Sequence, residues 1–289
     1  MQFPSLACRL FRISIVVFLL SSCKVNTYGF RSSEVQTDSL YSEHLGKKVP
    51  YRVYEPRAKK YEGTPPMLYL LHGHGGNYRD WFDLDEGNVQ AILDSLIRIG
   101  AIPPIKAVTF DGENSWYVNG LQQMESAFIE EFVPNMEELF STQTANNSRI
   151  IGGVSAGCYG SLNFAMKYPE LFKAAILLSP AAYYPFPPSK SSSRKIDVFK
   201  TNGEFDTLKW QSYSYEEYFD SSLDNSNYPK FYLSTGDDDV FEITDVVIRL
   251  REFLRERELE QELTIVNGGH DWDVWRYCFA QDLVRIFAE

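Results

Sequence analysis

Short runs of apolar residues recur along the chain, each closed by glycine, proline or an acidic residue. "MLYLLHG" (67–73), "IKAVTFDG" (105–112), "RIIGGV" (149–154), "AAILLSP" (174–180), "KFYLSTG" (230–236) and "LTIVNGG" (263–269) have this form. Continuous apolar runs of this length read as strands buried on both faces. "KKVPYRVYEP" (47–56) alternates instead and reads as a half-exposed strand. Between the strands, apolar positions fall at helical spacing. "EGNVQAILDSLIRIG" ends at glycine, "MESAFIEEFVPNMEELF" carries Pro134 as a kink or break, and "SAGCYGSLNFAMKYP" stops before proline. "EITDVVIRLREFLRERELE" puts Val247, Leu250 and Leu254 on one stripe, and a last helix starts near Asp273. Strands alternating with helices predict an α/β fold: a mostly parallel central sheet with helices on both faces. The segment 181–229 breaks the rhythm. "YYPFPPSKSSS" reads as loop, and the aromatic "WQSYSYEEYFDSS" follows it. It is either a cap over the sheet's carboxyl edge or a surface excursion.

In such sheets ligands bind beyond the carboxyl ends of the strands, so the residues just after each run carry the candidate chemistry. "IIGGVSAGCYG" (150–160) places Ser155 between Gly153 and Gly157, after a strand and before a helix. That context turns a weak G-x-S-x-G pattern into a nucleophile elbow: a sharp turn that needs residues without Cβ on either side and holds the hydroxyl clear. The Ala156 amide then opens a helix and is one donor for an oxyanion. Serine needs a base to take its proton. The chain has four histidines, His44, His72, His74 and His270, and only His270 follows Ser155. Elbow hydrolases run Ser, acid, His along the chain, which selects His270. The acid belongs after a strand between them, where "STGDDDVF" offers Asp237, Asp238 and Asp239. A calcium loop there would need spaced oxygen ligands, which three adjacent acids do not supply. The loop "LLHGHGGN" (70–77) follows the third strand, and the His74 amide is the expected second oxyanion donor. No metal or cofactor is called for.

Composition narrows the partners. With 28 basic and 39 acidic residues the formal charge is −11, which disfavours nucleic acid and bare anionic membrane. At the N-terminus Arg9 and Arg12 precede an apolar stretch, Ile13 to Leu20, too short to span a bilayer and of signal-peptide length. It ends in "LLSSCKVN", a lipobox-like junction. The expectation is a lipoprotein signal over 1–22, lipidation of Cys23, a polar tether over 23–35 and one catalytic domain over 36–289. The protein would be exported and meet a bacterial membrane, on its periplasmic or outer side, through the lipid anchor only. Cys158 and Cys278 remain in the body and are expected free and buried, a disulfide being the alternative.

Five stretches together, "YLLHGHGGNYRDW", "GAIPPIKAVTFDGENSWYVN", "GGVSAGCYGSLNFAMKYPELF", "STGDDDVF" and "GGHDWDVWR", resemble the esterase D or feruloyl-esterase-like family of α/β-hydrolases. The likeness runs from about residue 36 to the end. It implies an α/β-hydrolase fold, Ser155 as nucleophile and His270 as base. The family's acid stands three residues after its glycine, which from Gly236 gives Asp239. It implies the amides of His74 and Ala156 as oxyanion donors, and Trp116 and Tyr117 beside the acyl group. The chain departs from the family in having Ala156, Gly157 and Cys158 after the serine, where methionine or leucine and two glycines are frequent. The expected activity is a serine esterase working through an acyl-enzyme on a small-molecule or polysaccharide ester, with feruloyl or acetyl groups on plant polysaccharide foremost. Siderophore or lactone hydrolysis, acyl transfer to a sugar, and a non-catalytic binding lipoprotein are the alternatives.

Overall fold

A computed structural model describes residues 30–58, 63–142 and 148–288. The signal segment and Cys23 lie outside the described residues. In chain order, β1 (Phe30–Ser42) and β2 (Lys47–Ala58) lead to β3 (Met67–Leu71), α1 (Val89–Arg98) and β4 (Lys106–Phe110). A helix in three pieces follows: α2 (Met124–Ser126), a wider π-type stretch (Ala127–Phe132) and α3 (Val133–Leu139). Then come β5 (Arg149–Val154), α4 (Ala156–Lys167), β6 (Ala174–Leu178), β7 (Lys200–Thr201), β8 (Glu204–Phe205), α5 (Thr207–Gln211) and α6 (Tyr215–Tyr218). β9 (Lys230–Gly236), α7 (Ile243–Glu256), β10 (Gln261–Val266) and α8 (Trp272–Ala288) close the chain.

Eight strands form one sheet in the order β1-β2-β4-β3-β5-β6-β9-β10. β1 pairs antiparallel with β2, and β2 with β4; every other neighbour is parallel. Each residue of β3 and of β6 is buried, which requires cover on both faces of the sheet. α4 packs on β3, β5 and β6, α7 on β9 and β10, and α8 on β6 and β9. The parallel strands thus end together on one edge, each delivering a loop there.

Two features differ from the sequence reading, and a third is one that it left open. β1 begins at Phe30, inside the segment read as tether, and pairs with β2 along nearly its whole length. Pro134 does not stop its helix. The chain widens into π-type turns just before it, and α3 starts with the proline in its first turn, where a missing N–H costs nothing. Residues 181–229 are packed, not a bare excursion. Phe199 and Trp210 from this segment are fully buried with Trp116, Ala156, Tyr159, Ile243 and Val247 in a second apolar cluster. The segment therefore caps the carboxyl edge above α4 and α7. Among the described residues no helix is long and apolar enough to cross a membrane.

Candidate active site

Ser155 sits between β5 and α4 with φ 54° and ψ −114°, a conformation that L residues avoid. The neighbouring chain fixes it there. Ser155 N–H donates to Leu178 O (3.0 Å), and its carbonyl accepts from Ala181 N (3.2 Å) and Cys158 N (3.1 Å). A Cβ on Gly153 would stand 2.4 Å from Gly157 C, and one on Gly157 would stand 2.2 Å from Leu71 O. Both positions exclude any side chain, which is the steric origin of the Gly-x-Ser-x-Gly spacing. Cys158 fits the same turn because its thiol lies against Gly153 O and Leu178 O, and burial pushes that thiol far above the ordinary range. Cys158 and Cys278 are both free and buried.

His270 stands on the loop after β10. Its Nδ1–H donates to Asp239 Oδ2 at 2.7 Å. The carboxylate also accepts from Phe241 N (2.9 Å) and Thr235 Oγ1 (3.4 Å), and its side chain is fully buried. Burial pushes the Asp239 carboxyl up, but the hydrogen bond and charge of His270, with the Phe241 amide and Ser179, outweigh it and hold the group below the ordinary aspartate value. An ionised acid is thus kept against the imidazole, which fixes its tautomer and leaves Nε2 to accept a proton. The other two acids have different work. Asp237 is exposed and accepts from Gly268 N (3.0 Å), tying the acid loop to the histidine loop; Asp238 is exposed. Neither caps α7, whose N-cap position is Glu242.

The loop after β3 brings His74 to the site. His72 is buried in its base: Nδ1 donates to Gly73 O (2.8 Å) and Nε2 accepts from Gly112 N (3.0 Å). Tyr117, expected beside the acyl group, lies behind this loop instead. It is fully buried, and its hydroxyl donates to His72 O (3.0 Å). A left-handed backbone at Trp116 (φ 56°) and Tyr117 (φ 60°) turns the two side chains to different sides, so only Trp116 reaches the cavity. Ala156 is the first residue of α4, so its N–H has no partner within the helix and points from the positive helix end, one residue behind the nucleophile. Burial, followed by Lys195 and His72, holds the His74 imidazole below its ordinary value.

Ser155, His270, His74 and Trp116 line one cavity of about 470 Å³. Trp116, Ala181, Tyr183 and Lys190 form the wall on the cap side, and Tyr183 donates to Phe241 O (3.2 Å). Asp80, Glu86, Trp272 and Trp275 also line the cavity. Sequence reading assigned no role to these four. Two stand in the quoted "GGHDWDVWR", but only the fold shows that α8 brings them against the loop after β3. Trp275 packs its ring 5.0 Å from His270 and donates from Nε1 to Ser179 Oγ (3.0 Å). Ser155 on its strained turn, the Asp239-held His270 and the first amide of α4 thus come together at one cavity, an arrangement suited to acyl transfer.

The comparisons agree with that chemistry. The Esterase family model, described as "Putative esterase", matches residues 42–286. An acetyl esterase of Caldicellulosiruptor saccharolyticus is 28% identical over 222 residues, 72% of this chain and 78% of that protein. An endo-1,4-beta-xylanase/feruloyl esterase of Xylanibacter ruminicola is 29% identical over 162 residues, 52% of this chain but 22% of that longer protein. Among solved structures, a ferulic acid esterase superposes with TM-score 0.73 at 25% identity, covering 89% of this chain and 98% of its own. A ferulic acid esterase of Anaeromyces mucronatus superposes with TM-score 0.69 at 19% identity, covering 90% and 92%, and shows the shared α/β-hydrolase fold.

Proposed function

This chain belongs to the Esterase family of carboxylic ester hydrolases, and we propose that it cleaves acetyl or feruloyl esters of plant polysaccharide through an acyl-enzyme on Ser155. The observation that carries the reading is the convergence of Ser155, on its strained elbow, and the His270–Asp239 pair on one cavity. Ser155 Oγ attacks the ester carbonyl as His270 Nε2 takes its proton. The amides of His74 and Ala156 hold the oxyanion, and His270 returns the proton to the departing alcohol. Water then repeats the sequence and releases the acid. The substrate class rests on the relatives named above, and the cap-side wall of Trp116, Tyr183 and Phe241 offers an aromatic surface for a feruloyl ring.

The test is hydrolysis of p-nitrophenyl acetate, methyl ferulate and acetylated xylan by the purified body and by Ser155→Ala. Wild-type turnover on these esters, abolished in Ser155→Ala with the fold intact, is the expected result; near wild-type rates in the variant overturn the nucleophile. The proposal includes export and a lipid anchor on Cys23, supported by the "LLSSC" junction. Cys23→Ser should move the protein from the detergent phase to the aqueous phase of a Triton X-114 extraction. Wild-type protein found wholly in the aqueous phase overturns the anchor.

A further inference from the structure

Trp275 meets the site in two ways. Its ring lines the cavity and stands 5.0 Å from His270, nearly perpendicular to it, while Phe241 stands 4.8 Å from the same imidazole. Its indole Nε1–H makes a buried hydrogen bond to Ser179 Oγ (3.0 Å). Ser179 directly follows β6 and is sealed from solvent. Its backbone is left-handed (φ 50°), a conformation that an L residue keeps only where its surroundings fix it. Here its N–H donates to Ser234 O (2.7 Å) on β9. An indole N–H can only donate, so Ser179 Oγ accepts from it, and the single hydroxyl proton is left for another partner. Thr235 Oγ1 lies 3.3 Å from Ser179 Oγ and donates to Asp239 Oδ2 (3.4 Å), the oxygen that accepts from His270 Nδ1. The Ser179 hydroxyl is also among the groups that hold the Asp239 carboxyl below the ordinary aspartate value.

We propose that Trp275 and Ser179 are positioning residues for the catalytic acid: the indole N–H orients the Ser179 hydroxyl so that its proton is given to the Asp239 carboxylate. Without the indole the hydroxyl is free to turn toward Thr235 Oγ1, and the carboxylate loses a donor on the face away from the imidazole. Neither residue acts on the reacting atoms; both act through Asp239. The relay ties the loops after β6, β9 and β10 to one geometry, because Ser179, Asp239 and His270 each stand on one of them and α8 supplies the indole. It takes from the ester-hydrolase reading only the role of the Asp239–His270 pair.

Steady-state kinetics on p-nitrophenyl acetate tests it, with active sites counted by stoichiometric fluorophosphonate labelling of Ser155. In Ser179→Ala kcat should fall at least fivefold with KM within twofold of wild type; a kcat within twofold, or a loss carried by KM, overturns the relay. Trp275→Phe keeps a ring in place but not the N–H, and should lower kcat at least threefold. In the double variant it should cost less than twofold beyond Ser179→Ala, since the indole acts through the hydroxyl; additive losses overturn the relay. Should Ser179→Ala fail to fold, an unchanged kcat in Trp275→Phe does the same. Proton NMR reads the relay without turnover. The downfield His270 Nδ1 proton, identified by its loss in His270→Ala, should move further downfield in Ser179→Ala, because a carboxylate relieved of one donor draws more strongly on the imidazole. A resonance that stays in place overturns the relay. The expected shift in a protein that hydrolyses no ester would instead overturn the esterase reading and leave the relay standing.

Discussion

Ser234 and Thr235 are consecutive on β9 and hydrogen-bond to aspartates in opposite electrostatic states. Thr235 Oγ1 donates to Asp239, in the site above the strand ends, and Ser234 Oγ donates to Asp282 (3.2 Å), in the middle of α8. Both carboxyl groups are almost fully buried. Burial is the largest influence on each and pushes each up. At Asp239 the imidazole, the Phe241 amide and the Ser179 hydroxyl reverse it. At Asp282 Arg285 (3.1 Å) and Ser234 do not, and the carboxyl is pushed up to about 7. Burial alone therefore does not decide whether an acid is ionised. What decides is how many well-aimed donors reach it, and the active site supplies more of them than the helix does.

The largest expected effect breaks this contrast at its active end. Asp239→Asn keeps the shape but removes the charge that orients His270, and kcat should fall on the order of 10⁴-fold, as for the same exchange in a serine protease triad. Asp282→Asn should keep kcat within about twofold, since it touches neither the cavity nor His270. Steady-state kinetics of the pair on p-nitrophenyl acetate checks both.

The second effect is on stability against pH. Asp282 binds its proton more tightly folded than unfolded, so its contribution is complete below about pH 4 and is lost as pH rises through about 7. Asp239 has the opposite sign, with stability present at neutral pH and lost as pH falls below the ordinary aspartate value. Asp282→Asn should therefore gain on wild type as pH rises from 4 to 8, by up to about 4 kcal/mol. Urea denaturation across that range measures it, and parallel curves for the two proteins would contradict the raised carboxyl.

Smaller effects sharpen the picture around Asp239. Asp237→Asn and Asp238→Asn should each lose less than about tenfold in kcat, under about 1.4 kcal/mol of barrier, because neither carboxylate faces the imidazole. Thr235→Val removes a long 3.4 Å hydrogen bond and should lower kcat only about two- to threefold. A loss from Thr235→Val as large as that from Asp239→Asn would mean that the threonine, not His270, fixes the carboxylate.

Legibility in the sequence followed the same divide between local and assembled features. The inner parallel strands could be read because burial on both faces makes each a continuous apolar run, whereas the edge strand β10 is only half-buried and could be read from its apolar "LTIV"; Ser155 and His270 stood out because each follows a predicted strand. The choice among Asp237, Asp238 and Asp239 needed the family's spacing, since three identical side chains carry no local difference. β1 escaped because it is an edge strand whose "QTDSLYS" is largely polar and exposed. Tyr117 was misplaced because its direction depends on a left-handed backbone that no pattern of residue types announces. Glu86 and Asp80 were assigned no role, although Asp80 stands in the quoted "YLLHGHGGNYRDW", because they meet the cavity only when α8 packs beside them.

The second apolar cluster has a mechanical consequence. Trp210 and Phe199 of the cap lie against Tyr159 of the nucleophile's own helix, Trp210 at 5.0 Å and Phe199 at 6.0 Å, and Tyr159 donates to Tyr213 O (2.6 Å). A flap that swung open would strip apolar cover from the helix that carries the Ala156 amide. Cap and elbow therefore unfold together, and amide hydrogen exchange should report one protection class across α4 and α5 rather than two. For anyone re-engineering this scaffold, the cap is not an exchangeable cassette: grafting another in its place would mean redesigning the outward face of α4 with it.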